Sequence, residues 1–331
     1  MRTVSAGTFE RLSSVAGLWQ AFQRCRANKR RTPSIAAFDA DADRLIFALH
    51  RDLVSGSYVP GPFSLRVVEE PKRRLIAAAP VRDRVVHQAL VRAIAAPFEA
   101  RFVDQSYAGI EGRGAHRALL RHLVDHRRFA FRVHLDIRRY FPSIHLPSLR
   151  ALIGARVADQ RTLGLLDQLM RRGAGVYTHP LAFEVLGLAA APLPVDCGVP
   201  VGTYLSQWCG NVFLDGLDHF IKRELRIRGY VRYMDDFVLF HDDEGVLRAA
   251  KESVAQWLQE NRRLELSPKR GRLLGRDQPS TFLGYRVSRA GLGPSRKLRS
   301  RMAESLRAAG EKGPLALERC VRAYRGLLTF G

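Results

Sequence analysis

Twelve residues, Gly229-Tyr-Val-Arg-Tyr-Met-Asp-Asp-Phe-Val-Leu-Phe240, constrain the fold more than any others in this chain. Two short apolar runs meet at Asp235-Asp236, so the segment reads as a β-hairpin with adjacent carboxylates at its tip. Like charges side by side repel and weaken a turn. A cation between them reverses that cost, and hard carboxylate oxygens suit Mg2+, which keeps water and substrate phosphates as its other ligands. The plainer alternative is a solvated turn, where Asp is a favoured residue. At average composition a Tyr-x-Asp-Asp string arises by chance in a chain this long in roughly 2–3 cases per hundred, so its surroundings decide.

The decisive neighbour is Phe129–Asp136. Phe131, Val133 and Leu135 alternate with Arg132, His134 and Asp136, the period of a half-buried strand. Asp136 is therefore expected at a strand end, on an open polar face. A carboxylate on a neighbouring strand gives such a site room for two ions. Ions about 4 Å apart can activate a 3′-hydroxyl and stabilise a leaving pyrophosphate.

The charge balance points to the substrate class. Lys and Arg number 54 against 32 Asp and Glu, giving +22 and a pI near 10.8. Solubility needs a net charge of only about 2–8, so the excess implies a polyanionic partner. No basic amphipathic anchor or lipidation motif favours a membrane, which leaves nucleic acid. Basic clusters at 28–31, 121–128, 262–263 and 296–301 suit phosphate contacts that add affinity without sequence readout. Cys25, Cys197, Cys209 and Cys320 form no CxxC pair, and the histidines show no HExxH, so neither a zinc site nor a disulfide framework is expected. The N-terminus lacks a signal-peptide run, and no stretch approaches the ~20 apolar residues of a membrane span. A soluble cytoplasmic protein is expected.

Pattern reading gives a mixed α+β order. Residues 9–56 read as two helices split by the basic turn 28–33, residues 57–80 as extended, and 81–98 as a helix. Helices are expected over 146–172, a Gly/Ala/Pro-rich loop over 173–202, and an amphipathic helix over 203–228. After the Asp-Asp hairpin come a helix (244–261), a strand near 264–266, a hairpin (281–287) and a basic helical tail (295–328).

These motifs together resemble reverse transcriptases. Tyr233-Met-Asp-Asp236 is similar to the catalytic motif, and Leu135-Asp-Ile-Arg-Arg-Tyr-Phe-Pro-Ser-Ile144 to the first carboxylate motif. Gly198-Val-Pro-Val-Gly-Thr-Tyr-Leu-Ser-Gln207 resembles the template- and nucleotide-contacting segment. Leu264-Glu-Leu-Ser-Pro-Lys269 resembles the motif whose lysine approaches the triphosphate, and Phe282-Leu283-Gly284-Tyr285 the primer grip. Val201-Gly202 before Ser206-Gln207, in place of Gln-Gly and Ser-Pro, resembles the reverse transcriptases of diversity-generating retroelements; Ser106-Tyr-Ala-Gly109 and Gly112-Arg-Gly-Ala-His116 point the same way.

The resemblance implies a right-hand polymerase: fingers over 1–130, palm over 131–288 with a fingers portion near 146–195, and a short helical thumb over 289–331. It implies that Asp136, Asp235 and Asp236 hold two Mg2+ ions, with Mn2+ as a substitute. Phe141 becomes a gate against ribonucleotides, with core packing as the alternative. Arg74 and Lys72 become triphosphate ligands, Asp83-Arg84 alternatively forming a structural ion pair, and Lys269 is either a triphosphate ligand or a surface lysine. Val201, Gly202 and Gln207 line the nucleotide site. The implied partners are template RNA, the RNA/DNA duplex, deoxynucleoside triphosphates and a basic oligomeric accessory protein, in a prokaryotic or phage setting. The implied activity is cDNA synthesis with errors at template adenines. Two rivals stand open: another prokaryotic reverse transcriptase (retron, intron-derived or defence-associated) and a non-catalytic RNA-binding protein on a polymerase palm.

Overall fold

The N-terminal apolar stripe folds as four helices rather than two: Thr8–Ser13, Val15–Arg26, Pro33–Asp39 and Ala42–Ser55. The extra breaks have local causes. The Ser14 hydroxyl accepts from Gly17 N at 3.0 Å and starts a new helix, while Asp41 and Ala42 open another directly behind Asp39. Gly56, at φ 76°, closes the run as expected. These features come from a computed structural model, which describes residues 4, 7–69, 73–189, 192–194 and 196–328.

The chain forms two compact units. The first comprises Met1–Val103, Arg138–Gly216 and Leu258–Glu265. Its core includes Leu18, Phe22, Ile35, Ile46 and Leu49 with Val85, Val86 and Leu90 of the helix Val81–Ile94, all buried. A two-stranded antiparallel ribbon, β1 (Ser64–Val68) and β2 (Arg74–Ala78), follows the N-terminal helices. Helices Leu146–Gly154 and Gln160–Ala174 fill most of the expected span, the second running two residues past it; Asp159 caps that second helix, accepting from Thr162 N at 3.1 Å. The expected loop over 173–202 instead contains a 3-10 turn, Gly175–Thr178, and a helix, Pro180–Leu186. Val176, Tyr177, Ala182 and Leu188 from this segment pack with Leu75 and Ala77 of β2. Burial against the ribbon overrides the poor helix-forming character of the surrounding Gly and Pro.

The second unit comprises Asp104–Ile137, Leu217–Trp257 and Leu266–Gly331. Its main sheet has β3 (Phe131–Asp136), β4 (Gly229–Tyr233), β5 (Asp236–His241) and β6 (Leu273–Gly275) in the order β4-β5-β3-β6, antiparallel throughout. A second sheet, β7 (Ser280–Phe282), β8 (Tyr285–Ser288) and β9 (Gly291–Pro294), extends the expected hairpin by one strand. Val231, Val238 and Phe240 share a core with Ala118 and Leu119 of the helix Ala115–Arg128 and with Phe282, Tyr285, Val287 and Leu298.

That core corrects one expectation. The face carrying Arg132, His134 and Asp136 is covered rather than open: Arg132 is 2% and His134 5% exposed. Arg132 donates to Gly275 O at 2.8 Å and also to Gln278 O, and the His134 ring lies 5.7 Å from that of Phe282. Only Asp136, at the strand end, remains half-exposed. The strand expected near 264–266 reduces to a single bridge, Ile137 to Leu266, because Pro268 cannot donate to a ladder. The helix expected over 203–228 is α-helical for Tyr204–His219 and ends in a π turn, Phe220–Glu224. Helices Arg296–Glu311 and Pro314–Leu328 form the tail, tied by Tyr324 Oη donating to Ser305 Oγ at 2.9 Å. Among the described residues no helix is long and apolar enough to cross a membrane.

Candidate active site

Register sets the carboxylates. β5 lies between β4 and β3, and Asp236 stands opposite both Tyr233 and Asp136. Directly opposed residues of antiparallel strands put their side chains on one face, with Cβ atoms about 4.5–5.5 Å apart. The loop between β4 and β5 is therefore Met234-Asp235, and Asp236 already belongs to the strand. Ile137 N donates to Asp235 O at 3.3 Å, and Ser267 N to Asp136 O at 2.7 Å, so both aspartates have anchored backbones. All three side chains are half-exposed.

Met234 takes φ 57°, a left-handed conformation unusual for a side-chain-bearing residue. Beneath it lies a group the motif reading passed over. Arg232 and Asp218 are both 0% exposed. Arg232 donates through Nε and Nη2 to the two Asp218 oxygens at 2.7 and 2.6 Å, and through Nη1 to Met234 O at 3.1 Å. Tyr230 Oη also donates to Asp218 at 2.6 Å. A bidentate buried pair thus braces the Met234-Asp235 turn from below. The sequence signal was an arginine inside the apolar run Gly229-Tyr-Val-Arg-Tyr233. Burial beside this carboxylate also drives the Tyr230 hydroxyl well above its ordinary range.

A second support touches Asp236 directly. His134 Nε2 meets Asp236 Oδ1, and Arg270 Nη1 meets His134 Nδ1 at 3.2 Å. Farther along this face the helix Ala115–Arg128 contributes His122 and His126, both buried. Burial and the nearby positive groups hold both imidazoles neutral, His126 being pushed down to about 4.

Of the remaining predicted residues, Lys269 and Phe282–Tyr285 lie in the same unit as the aspartates. Lys269 is exposed, with no side-chain partner among the described residues. Leu283 and Gly284, at φ 49° and 86°, form the two-residue turn of β7–β8, where positive φ at both positions matches the strand twist. Phe282 points into the core, while Tyr285 Oη donates to Leu327 O at 2.7 Å.

Phe141, Arg74, Val201, Gly202 and Gln207 lie in the other unit, and their segments are stitched together there. Val199 N donates to Phe141 O at 2.9 Å, and Ala77 N of β2 to Val201 O at 2.7 Å. A Cβ on Gly202 (φ 122°) would stand 2.8 Å from Ala77 O, so only glycine permits this approach. Tyr140, not Phe141, fills the core: it is 2% exposed and donates to Gly210 O at 2.5 Å. Phe141 stays half-buried, its ring against Gly210. Gln207 is exposed on the first turn of its helix. The Arg74 side chain is exposed and makes no ion pair or hydrogen bond among the described residues, whereas neighbouring Arg73 pairs with Glu69 and Glu184. Asp83 accepts from Tyr58 Oη at 2.7 Å and Gly61 N at 2.8 Å, and Arg84 donates to Ala79 O, so the alternative Asp83–Arg84 pair does not form. Lys72 lies outside the described residues.

Reverse transcriptases generally use Mg2+. Among the described residues no three His, Cys, Asp or Glu side chains converge as a ready-made cation cage. Half-exposed carboxylates at strand ends nonetheless fit a hard cation whose other ligands are water and substrate phosphates.

Comparison with known proteins identifies the family. Residues 69–287, more than half of the chain, match the family model described as reverse transcriptase (RNA-dependent DNA polymerase). The chain is 25% identical to the Escherichia coli protein YkfC over 282 residues, covering 73% of this chain and 70% of that protein. It is 26% identical over 151 residues to an uncharacterized 91 kDa protein in the cob intron of Schizosaccharomyces pombe, covering 46% of this chain and 17% of that protein. With the matched span reaching from β2 into β8 and taking in every aspartate of the site, the chain belongs to the reverse transcriptase family.

Proposed function

We propose that this chain is an RNA-directed DNA polymerase that copies a template RNA into cDNA by two-metal nucleotidyl transfer. We further assign it to a diversity-generating retroelement, with errors concentrated at template adenines. The observation that carries the catalytic reading is the β3–β5 register, with Asp136 opposite Asp236 and Asp235 in the adjoining turn.

When bound by Asp136, Asp235 and Asp236, two Mg2+ ions supply the charge that activates the primer 3′-hydroxyl and stabilises the leaving pyrophosphate. The chain's own groups position the reactants. Arg74, Lys72 and Lys269 hold the triphosphate and offset charge developing on the pyrophosphate. Phe141, half-buried while Tyr140 fills the core, presents a ring that a 2′-hydroxyl would strike. Val201, Gly202 and Gln207 contact the nascent pair, and Phe282–Tyr285 guide the primer strand. In this reading residues 1–130 act as fingers, 131–288 as palm with a fingers portion near 146–195, and 289–331 as thumb. The +22 charge provides salt-sensitive affinity for the duplex. A basic oligomeric accessory protein assists in the cytoplasm of a prokaryotic or phage-infected cell.

The retroelement assignment rests on Val201-Gly202 and Ser206-Gln207. An intron-derived enzyme is the second reading, favoured by the relative encoded in the cob intron. Copying a defined RNA with Mg2+ and deoxynucleotides, then sequencing the cDNA, separates them. Errors several-fold more frequent opposite adenine, on the order of ten times those opposite other bases, support the retroelement. Uniform, rare errors remove it and leave the polymerase.

A further inference from the structure

Three residues from distant parts of the chain meet beside the strand ends: His134 of β3, Asp236 of β5 and Arg270, which follows the Ser267-Pro-Lys269 turn. Strand alternation puts His134 two residues before Asp136 on the same face, diagonal to Asp236 in the register. Its Nε2 meets Asp236 Oδ1, and Arg270 Nη1 stands 3.2 Å from its Nδ1.

The tautomer follows from donor chemistry. A guanidinium carries only donors, so Nδ1 of His134 must accept from Arg270. The single ring proton of a neutral imidazole then sits on Nε2 and is donated to Asp236 Oδ1. Asp236 Oδ2 has no hydrogen-bond partner among the described residues, and the side chain is 25% exposed.

The backbone around Arg270 is fixed too. Ser267 N donates to Asp136 O at 2.7 Å, and Gly271 N to His134 O at 2.9 Å, so residues 267–271 run along the edge of β3. Gly271, at φ 103°, lies where a Cβ would meet Lys251 Cε at 2.9 Å. Lys251 Nζ in turn donates to Gly271 O at 3.1 Å. The segment therefore delivers Arg270 to one place.

We propose that His134 is a positioning residue for the polymerase reaction, with Arg270 setting its tautomer so that Asp236 is held by one oxygen and offers the other outward. This rests on the polymerase reading above. It gives His134 a task beyond the core burial that its position in the strand would otherwise explain. It also couples the loop carrying Lys269 to the carboxylate that opens β5.

The test pairs His134→Phe with His134→Gln. Phenylalanine keeps a flat ring against Phe282 but lacks both nitrogens, whereas the glutamine amide can donate from near the Nε2 position. His134→Phe is expected to lose about tenfold or more in kcat with the deoxynucleotide KM held within about twofold, and to need more Mg2+ for half-maximal extension. His134→Gln recovers most of the loss. A readout independent of turnover comes from 15N-histidine labelling: the His134 signal, assigned by its disappearance in His134→Gln, carries its proton on Nε2, and Arg270→Ala mixes the tautomers. Wild-type kcat and Mg2+ dependence in His134→Phe, or a proton on Nδ1, overturns the proposal while Asp235→Ala remains inactive. Full extension by both Asp136→Ala and Asp235→Ala instead defeats the polymerase reading, and the proposal falls with it.

Discussion

Asp218→Asn is the substitution whose effect the structure sizes most directly. Wild-type Asp218 accepts from Arg232 Nε, Arg232 Nη2 and Tyr230 Oη, all within 2.6–2.7 Å, and neither Asp218 nor Arg232 is exposed. An asparagine of the same shape removes the carboxylate charge that this buried guanidinium faces. Breaking a buried pair from one side costs about 3–5 kcal/mol, because the remaining ion cannot return to water. For a protein of this size that corresponds to a fall in Tm of about 6–20 °C. Tyr230→Phe removes one hydrogen bond to a charged group and costs less, about 1.5–3 kcal/mol. A triple variant, Tyr230→Phe with Asp218→Leu and Arg232→Met, removes the whole polar group and should regain most of the lost stability, since apolar replacements of such pairs are often neutral or better. It should still extend primers slowly, because Met234, held at φ 57°, loses the guanidinium beneath its carbonyl. Thermal melts and primer extension on the same preparations decide. Asp218→Asn melting within about 2 °C of wild type, or a triple variant with full activity, refutes the bracing role.

Three further outcomes are expected. Phe141→Ala should raise ribonucleotide over deoxynucleotide incorporation by at least about tenfold, or about 1.4 kcal/mol of lost discrimination; competition assays showing unchanged selectivity in an active variant return Phe141 to packing. Val201→Gln supplies a donor and an acceptor at the position proposed to contact the nascent pair and should lower error rates roughly 2- to 13-fold, the worth of one hydrogen bond at about 0.5–1.5 kcal/mol; an unchanged error spectrum by sequencing counts against it. His87 and His126, each pushed by burial from 6.5 to about 4, bind protons more readily when unfolded. Stability is therefore full above the unfolded value and falls as pH drops from about 6.5 toward 4, by up to about 1.4 kcal/mol per pH unit for each histidine. Urea midpoints that stay flat across this window, or that are insensitive to His87→Gln, contradict the assignment.

The main sheet was legible because period-2 alternation in 131–136 and 229–240 decides which side chains share a face, and two aspartates mark where the strands end. The β7–β8 turn was legible from Leu283-Gly284, since glycine favours the positive φ that a tight hairpin demands. What escaped is what distant partners determine. Arg132 and His134 looked solvent-facing until residues 275–282, well over a hundred positions later, covered them. The helix Pro180–Leu186 was hidden in Gly, Ala and Pro and exists because β2 gives it an apolar surface. Arg232 was passed over, since its counter-ion Asp218 lies on a helix and no local pattern links the two. Local periodicity shows an element's own faces; the partner that covers each face is set by tertiary packing.

The most direct test of the central claim is single-turnover extension of a DNA primer on an RNA template, with Mg2+ and deoxynucleotides, comparing wild type with Asp136→Ala and Asp235→Ala. Wild type should add nucleotides, and each variant should fall by about a thousandfold or more while binding the primer–template with unchanged affinity. Undiminished extension by both variants, or no extension by folded wild type that binds the duplex, would contradict the assignment of these carboxylates.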